Sequence, residues 1–194
     1  MLCNPNNPDG RRHDRAALAA LAARVRLLVV DESFADFDGP ERNAAPLLPR
    51  PDLLVLRSFG KSYGLAGLRL GFALAEPALA GRLRAMMGPW AVSGPALAVG
   101  IPALRDRNWL IEASRRCAVD ALRLDMLLAQ AGFRILGGTS LFRLASHEAA
   151  PEWFARLGQA GILVRQFRDP AAWLRFGLPG DEAGWARLEA ALRG

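Results

Sequence analysis

Arg57-Ser58-Phe59-Gly60-Lys61-Ser62-Tyr63-Gly64-Leu65-Ala66-Gly67-Leu68-Arg69-Leu70-Gly71 is the stretch on which the reading of this chain turns. The 25 lysines and arginines of the 194-residue sequence include a single lysine, Lys61. A chain that uses arginine wherever a plain positive charge suffices has kept lysine at one place. A guanidinium stays protonated in proteins, so it serves neither as an amine nucleophile nor as a Schiff-base former, and a lysine amine does both. Chemistry at Lys61 is therefore weighed against a chance surface lysine, and the flanking residues decide between them.

Ser58 and Arg69 flank the lysine with a hydroxyl and a bidentate guanidinium fork, two groups suited to holding a phosphate. Gly60, Gly64 and Gly67 allow the backbone to turn sharply or approach a flat ligand. Gly60-Lys61-Ser62 resembles the end of a nucleotide-binding P-loop, yet the glycine that opens such a loop would fall at Val55, inside an apolar run. The spacing of a dinucleotide fingerprint is absent as well. An amine with phosphate ligands on both sides fits pyridoxal 5'-phosphate (PLP), which enzymes hold as a Schiff base to lysine.

Two further segments carry a resemblance. Asn4-Pro5-Asn6-Asn7-Pro8-Asp9-Gly10 resembles the Asn-Pro-x-Gly turn of fold-type I PLP enzymes, the class I/II aminotransferases. Asp31-Glu32-Ser33-Phe34 resembles their acidic strand end, and the Lys61 segment resembles their cofactor-lysine motif. Order and spacing agree across the three. Within the family, the segment from Ser58 to Leu74 and Gly88-Pro89-Trp90-Ala91-Val92-Ser93-Gly94-Pro95-Ala96 look most like the threonine-phosphate decarboxylases of cobalamin biosynthesis. Histidinol-phosphate aminotransferases come next. The resemblance starts at the Asn-Pro turn, and what the family carries before that turn is missing, so an N-terminally truncated member is expected.

This resemblance implies roles. Lys61 and Asp31 are the catalytic pair, and Asn7, Asp31, Ser58, Lys61 and Arg69 bind the cofactor. Asp31 would face the protonated pyridine nitrogen; an opposite charge at ~4 Å and an effective dielectric near 20 contributes about 4 kcal/mol, or about three pKa units. Asn7 would donate to the ring oxygen. Phe34 departs from the tyrosine that many aminotransferases carry there. Arg175, in Trp173-Leu174-Arg175-Phe176-Gly177, matches the carboxylate-binding arginine, and Arg165 resembles the position that binds substrate phosphate in histidinol-phosphate aminotransferases. Each has a plain alternative: a turn asparagine, a capping aspartate, an arginine on an exposed edge.

Hydrophobic residues make up 52% of the chain and mean hydropathy is +0.11, but arginines interrupt every apolar run well short of a membrane span. Met1 to Pro5 has neither the basic start nor the apolar core of a signal peptide, and two cysteines, Cys3 and Cys117, fit a reducing cytoplasm. A formal charge of +6 raises the question of nucleic acid, but the arginines are scattered among acids, and a solvated surface is expected instead. His13 and His147 have no partners at metal-ligand spacing, so no metal site is expected.

The pattern predicts an α/β fold, part of the fold-type I architecture: a remnant of a mainly parallel large-domain sheet over residues 1–92 and a C-terminal α+β small domain over 93–194. Asp14 caps a helix over 15–24 with Leu18 and Leu21 buried. Apolar runs at 25–30, 53–56 and 70–74 read as buried strands. Gly88-Pro89-Trp90 and Gly94-Pro95 mark a crossing region, with Met86, Met87 and Trp90 as packing residues. Asp106 opens a helix running to about residue 131, where Gly132 stops it. Short strands at 133–136, 141–144, 162–164 and 173–176 alternate with helices at 152–159 and 181–192.

The function expected from the resemblance is PLP-dependent decarboxylation of L-threonine O-3-phosphate to (R)-1-amino-2-propanol O-phosphate. A histidinol-phosphate type of aminotransferase and a catalytically inactive fragment are the alternatives. The expected partner is a small phosphorylated amino acid, with no nucleic acid or membrane, and a homodimer for the full-length protein.

Overall fold

Val30 and Val55, paired across two parallel strands and fully buried, mark the centre of the first of two sheets. The computed structural model describes residues 1–39 and 42–193. Strands β1 (Leu2–Cys3), β2 (Leu28–Asp31), β3 (Leu53–Ser58) and β4 (Gly71–Ala75) hydrogen-bond in that order. The first three run parallel and β4 is antiparallel to β3, which gives the mainly parallel sheet that the apolar runs predict. Leu28, Val30, Leu53 and Val55 pack with Leu18 and Ala22 of helix α1 (Arg15–Ala22). Asp14 caps α1 by accepting from Ala17 N at 2.7 Å.

Val25 to Leu27 lie outside β2. The amides of Arg24 and Val25 bond to Leu21 O and Ala22 O in the closing turn of α1, so the chain is not free to extend until Leu28. Leu21 is 39% exposed rather than buried.

Helices α2 (Pro77–Met87) and α3 (Gly94–Arg105) occupy the region read from its glycines and prolines as a crossing. Each carries proline in its first turn, where the missing N–H costs nothing. Glu76 and Ser93 cap them through Leu79 N and Ala96 N. Met86, Met87 and Trp90 do not pack: Trp90 is 90% exposed and both methionines lie open. Helix α4 (Arg107–Gln130) opens with Asp106 accepting from Trp109 N, and Gly132, at φ +84°, ends it.

The second sheet orders as β5 (Arg134–Thr139), β6 (Phe142–Ser146), β8 (Trp173–Gly177) and β7 (Arg165–Gln166), all antiparallel. Helices α5 (Ala150–Gln159) and α6 (Glu182–Arg193) pack with it around Phe133, Ala145, Leu157, Leu174, Phe176 and Trp185, all buried. Strand β7 begins after the expected 162–164, because Ile162 N still bonds to Leu157 O at the end of α5.

Two compact units result: Met1–Asn6 with Arg11–Ser114, and Asn7–Gly10 with the chain from Arg115 onward. The change of unit falls inside α4. Asn4 holds the two ends of the excursion to Asn7–Gly10, donating to His13 O at 3.2 Å and accepting from His13 N at 2.8 Å. Among the described residues no helix is long and apolar enough to cross a membrane.

Candidate active site

In the first unit, the C-terminal ends of β2 and β3 gather four of the residues singled out from the sequence. Asp31 is the last residue of β2 and pairs with Leu56 of β3. Side chains alternate between faces along a strand, so Asp31, Leu56 and Ser58 share one face while Glu32 and Arg57 lie on the other. Asp31 is half-buried. Its Oδ1 accepts from Ser33 N at 2.9 Å and from Ser33 Oγ at 2.5 Å, and among the described residues its Oδ2 takes no hydrogen bond. A carboxylate oriented through one oxygen, with the other left open at the carboxyl edge of a parallel sheet, is placed to receive an N–H.

Beyond Ser58 the chain makes a tight loop closed by its own backbone. Phe59 N bonds to Leu70 O at 3.1 Å, Leu65 N to Phe59 O at 3.1 Å and Gly64 N to Lys61 O at 2.9 Å. Gly64 sits at φ +66°, where a side chain would be strained. Phe59 is the buried anchor, stacked on Tyr63 with ring centroids 4.2 Å apart. Lys61 itself is exposed, and its Nζ lies 5.6 Å from the Phe34 ring centroid, within cation–π range. Phe34 is three residues past Asp31, so the loop brings the amine to the end of β2.

Ser58 and Arg69 line one cavity of about 210 Å³ together with Gly60, Ala66, Leu70 and Gly71. Ser58 Oγ accepts from Gly60 N at 3.1 Å, which leaves its hydroxyl proton to donate. Arg69 adopts a left-handed conformation (φ 52°) at the end of a 3-10 turn over Ala66–Leu68. A hydroxyl and a guanidinium facing one small hollow are the donor set that a phosphate requires. The first unit therefore fits pyridoxal phosphate on three counts: a phosphate cup, an amine within the same loop, and an open carboxylate oxygen.

In the second unit, Asn7 and Arg175 are joined directly: Arg175 Nη1 donates to Asn7 Oδ1 at 2.5 Å. Arg175 lies over the Phe142 ring at 5.3 Å and stands opposite Arg165 across the β7–β8 pair. Burial pushes the Arg175 guanidinium below its usual pKa, and the like charge of Arg165 adds to that. Two arginines paired across neighbouring strands concentrate positive charge there.

Sequence reasoning missed the other face of the first sheet. Glu32 is fully buried; its Oε2 accepts from Arg57 Nη1 at 2.9 Å and its Oε1 from Ala44 N at 2.6 Å. Arg57 also donates through Nη2 to Asp36 Oδ1, and Asp36 Oδ2 is buried with no partner among the described residues. Burial raises the Glu32 carboxyl above its ordinary pKa despite Arg57. Burial also opposes the charge of Arg57, but the two carboxylates outweigh it and raise the guanidinium. The available signal was an arginine ending one apolar strand and acids following another.

The family model for aminotransferase class I and II matches residues 1–192. The chain belongs to this family. A threonine-phosphate decarboxylase of Pseudomonas aeruginosa is 46% identical over 198 residues, covering 100% of this chain and 59% of its own length. The crystal structure of histidinol-phosphate aminotransferase from Sinorhizobium meliloti, in complex with pyridoxal-5'-phosphate, aligns with TM-score 0.84 at 25% identity over 98% of this chain and 56% of that one. The L-threonine-O-3-phosphate decarboxylase of Porphyromonas gingivalis aligns with TM-score 0.75 at 26% identity, over 98% and 62%. This aminotransferase-family chain thus spans a little over half the length of the curated relative and solved structures it matches.

Proposed function

We propose that this chain carries the lysine, ring carboxylate and phosphate cup of a PLP-dependent enzyme that decarboxylates L-threonine O-3-phosphate to (R)-1-amino-2-propanol O-phosphate, a reaction of cobalamin biosynthesis. The observation that carries the reading is the convergence at the ends of β2 and β3: Lys61 Nζ over Phe34, three residues past Asp31, with Ser58 and Arg69 lining one hollow. The similarity to two threonine-phosphate decarboxylases supports the choice of substrate.

Bound pyridoxal phosphate supplies an aldehyde carbon and a ring that accepts electrons from a breaking bond. The residues of this chain do the rest. Ser58 and Arg69 hold the phosphate through charge-assisted hydrogen bonds. Asp31, through its open Oδ2, would accept from the ring N–H and favour its protonated form. Lys61 Nζ would hold the aldehyde carbon and, as a free amine, could hold or deliver a proton beside the substrate carbon. Asn7, its Oδ1 taken by Arg175, donates through Nδ2. Arg175 binds the substrate carboxylate and Arg165 the substrate phosphate.

The domain division at 92/93, a homodimer for the full-length protein and a cytoplasmic location belong to the same reading. Amino transfer of the histidinol-phosphate type is the second reading, supported by the likeness to that enzyme from Sinorhizobium meliloti. The test is to add pyridoxal phosphate, reduce with borohydride and map the modified peptide by mass spectrometry. The cofactor mass is expected on Lys61 and nowhere else, and an unmodified Lys61 sinks the proposal. Release of CO2 from threonine phosphate, against amino transfer to a 2-oxo acid, then separates the two reactions.

A further inference from the structure

We infer that Arg57, gripped between Glu32 and Asp36, is a positioning residue that fixes the ends of β2 and β3 so that Asp31 and the Ser58–Lys61 loop keep their mutual register. The inference rests on the cofactor reading above for its purpose, but on geometry alone for its existence. Arg57 and Glu32 each adjoin a proposed cofactor ligand, Ser58 and Asp31. Through strand alternation they occupy the opposite face of the sheet from those ligands. Their ion pair (2.9 Å) thus ties the two strand ends together from behind.

The construction is a costly way to hold two strands. Glu32 has no exposed side-chain surface, Asp36 has 9% and Arg57 has 23%. Two carboxylates share one guanidinium, and among the described residues Asp36 Oδ2 has no donor, so the cluster is not internally balanced. Apolar residues of similar size in such a place are commonly neutral or stabilising, because desolvation of the ions is avoided. What apolar packing does not supply is direction. The planar fork of an arginine bonds two oxygens at set angles, and Glu32 is itself pinned by the Ala44 amide at 2.6 Å. Leu and Met would fill the volume and let β3 slide or tilt relative to β2. Tyr63 senses the cluster from the loop side: burial raises its hydroxyl pKa, Asp36 adds to that and Arg57 partly opposes it.

The test compares the wild-type chain, Arg57→Lys, and the apolar triple variant Glu32→Leu/Arg57→Met/Asp36→Leu, which is expected to fold even if single charge deletions do not. Three quantities are read: the thermal midpoint, amide hydrogen exchange across residues 58–71, and affinity for pyridoxal phosphate by absorbance titration. The triple variant is expected to melt at or above the wild-type temperature. Its Phe59, Gly64 and Leu65 amides should exchange at least tenfold faster, and its affinity for pyridoxal phosphate should fall at least tenfold. Arg57→Lys, which keeps the charge but not the fork, should move exchange and affinity in the same direction by less. A stable triple variant with unchanged exchange overturns the inference, whatever its affinity. If the wild type takes up no cofactor while exchange rises as stated, the clamp stands and the cofactor reading falls.

Discussion

Arg175 Nη1 and Asn7 Oδ1 lie 2.5 Å apart although 168 residues separate them in sequence. The bond settles which end of the Asn7 amide faces the arginine, since a guanidinium has no acceptor. It also places an N-terminal turn and a C-terminal strand, β8, in one compact unit, and it occupies one of the five N–H donors of Arg175.

Replacement of Arg175 with lysine keeps the charge and removes the fork. A lysine ammonium over Phe142 can meet Asn7 or an incoming carboxylate as a point charge, but not both in a fixed plane. Binding of O-phospho-L-threonine to the cofactor-loaded protein is expected to weaken about tenfold to a hundredfold, the ~1.5–3 kcal/mol of a hydrogen bond to a charged group. The thermal midpoint should move by no more than about 2 °C. Calorimetric titration of both proteins checks this, and an unchanged affinity would remove Arg175 from the substrate site.

Ser58→Ala and Arg69→Leu probe the hollow these residues line. Each is expected to weaken pyridoxal phosphate binding by about 1.5–3 kcal/mol, or roughly tenfold to a hundredfold. Pyridoxal, which lacks the phosphate, is the control: its weaker binding should be the same in wild type and variants. Equal losses for the two ligands would mean that the substitutions disturb the loop rather than the phosphate.

Much of this was legible in the sequence because local chemistry dictated it. Asp14 and Asp106 sit before helices and cap them. The valine and leucine runs before Asp31 and Ser58 became adjacent parallel strands, since a short continuous apolar run is stable only when buried on both faces. Legibility ended where partners are distant. Nothing in the spacing pairs Arg57 with Glu32 and Asp36, and nothing near Trp90 signals that it stays open, because an apolar residue in a proline-rich segment reads alike whether or not a surface covers it. Helices α2 and α3 were missed for a related reason: the same Pro and Gly that punctuate a loop also start and end a helix.

The buried Glu32 predicts an inverted pH dependence. Its pKa in the folded chain is raised above the ordinary carboxylate value, with burial as the main cause. In the window between the ordinary and the raised pKa, the folded state binds more protons than the unfolded state. The contribution of this group to stability therefore falls as pH rises through that window, and its full cost is present above the folded pKa. Glu32→Gln is expected to flatten that decline, seen as the difference between wild-type and variant urea-denaturation curves from the ordinary carboxylate pKa upward. Parallel curves for the two proteins would show that Arg57 offsets the burial of Glu32 completely.

Gly10 closes the Asn-Pro turn at φ +70°, and a Cβ added there would lie 1.9 Å from Gly138 O. The opposing strand meets the turn with glycines of its own: a Cβ on Gly137 would come within 2.2 Å of Asp9 O. Two backbones approach each other here with no room for a side chain, and the approach presents Asn7 to Arg175. Gly10→Ala adds left-handed strain to a backbone clash, so a loss of about 2–3 kcal/mol is expected. At roughly 2–4 °C per kcal/mol for a chain of this size, the thermal midpoint should fall by about 5 °C or more. The variant should also lose affinity for O-phospho-L-threonine as Asn7 is displaced, while the Lys61 peptide remains reducible by borohydride in the presence of pyridoxal phosphate. A Gly10→Ala protein that melts like the wild type would show that the turn does not press on β5, and the Asn7–Arg175 bond would need another support.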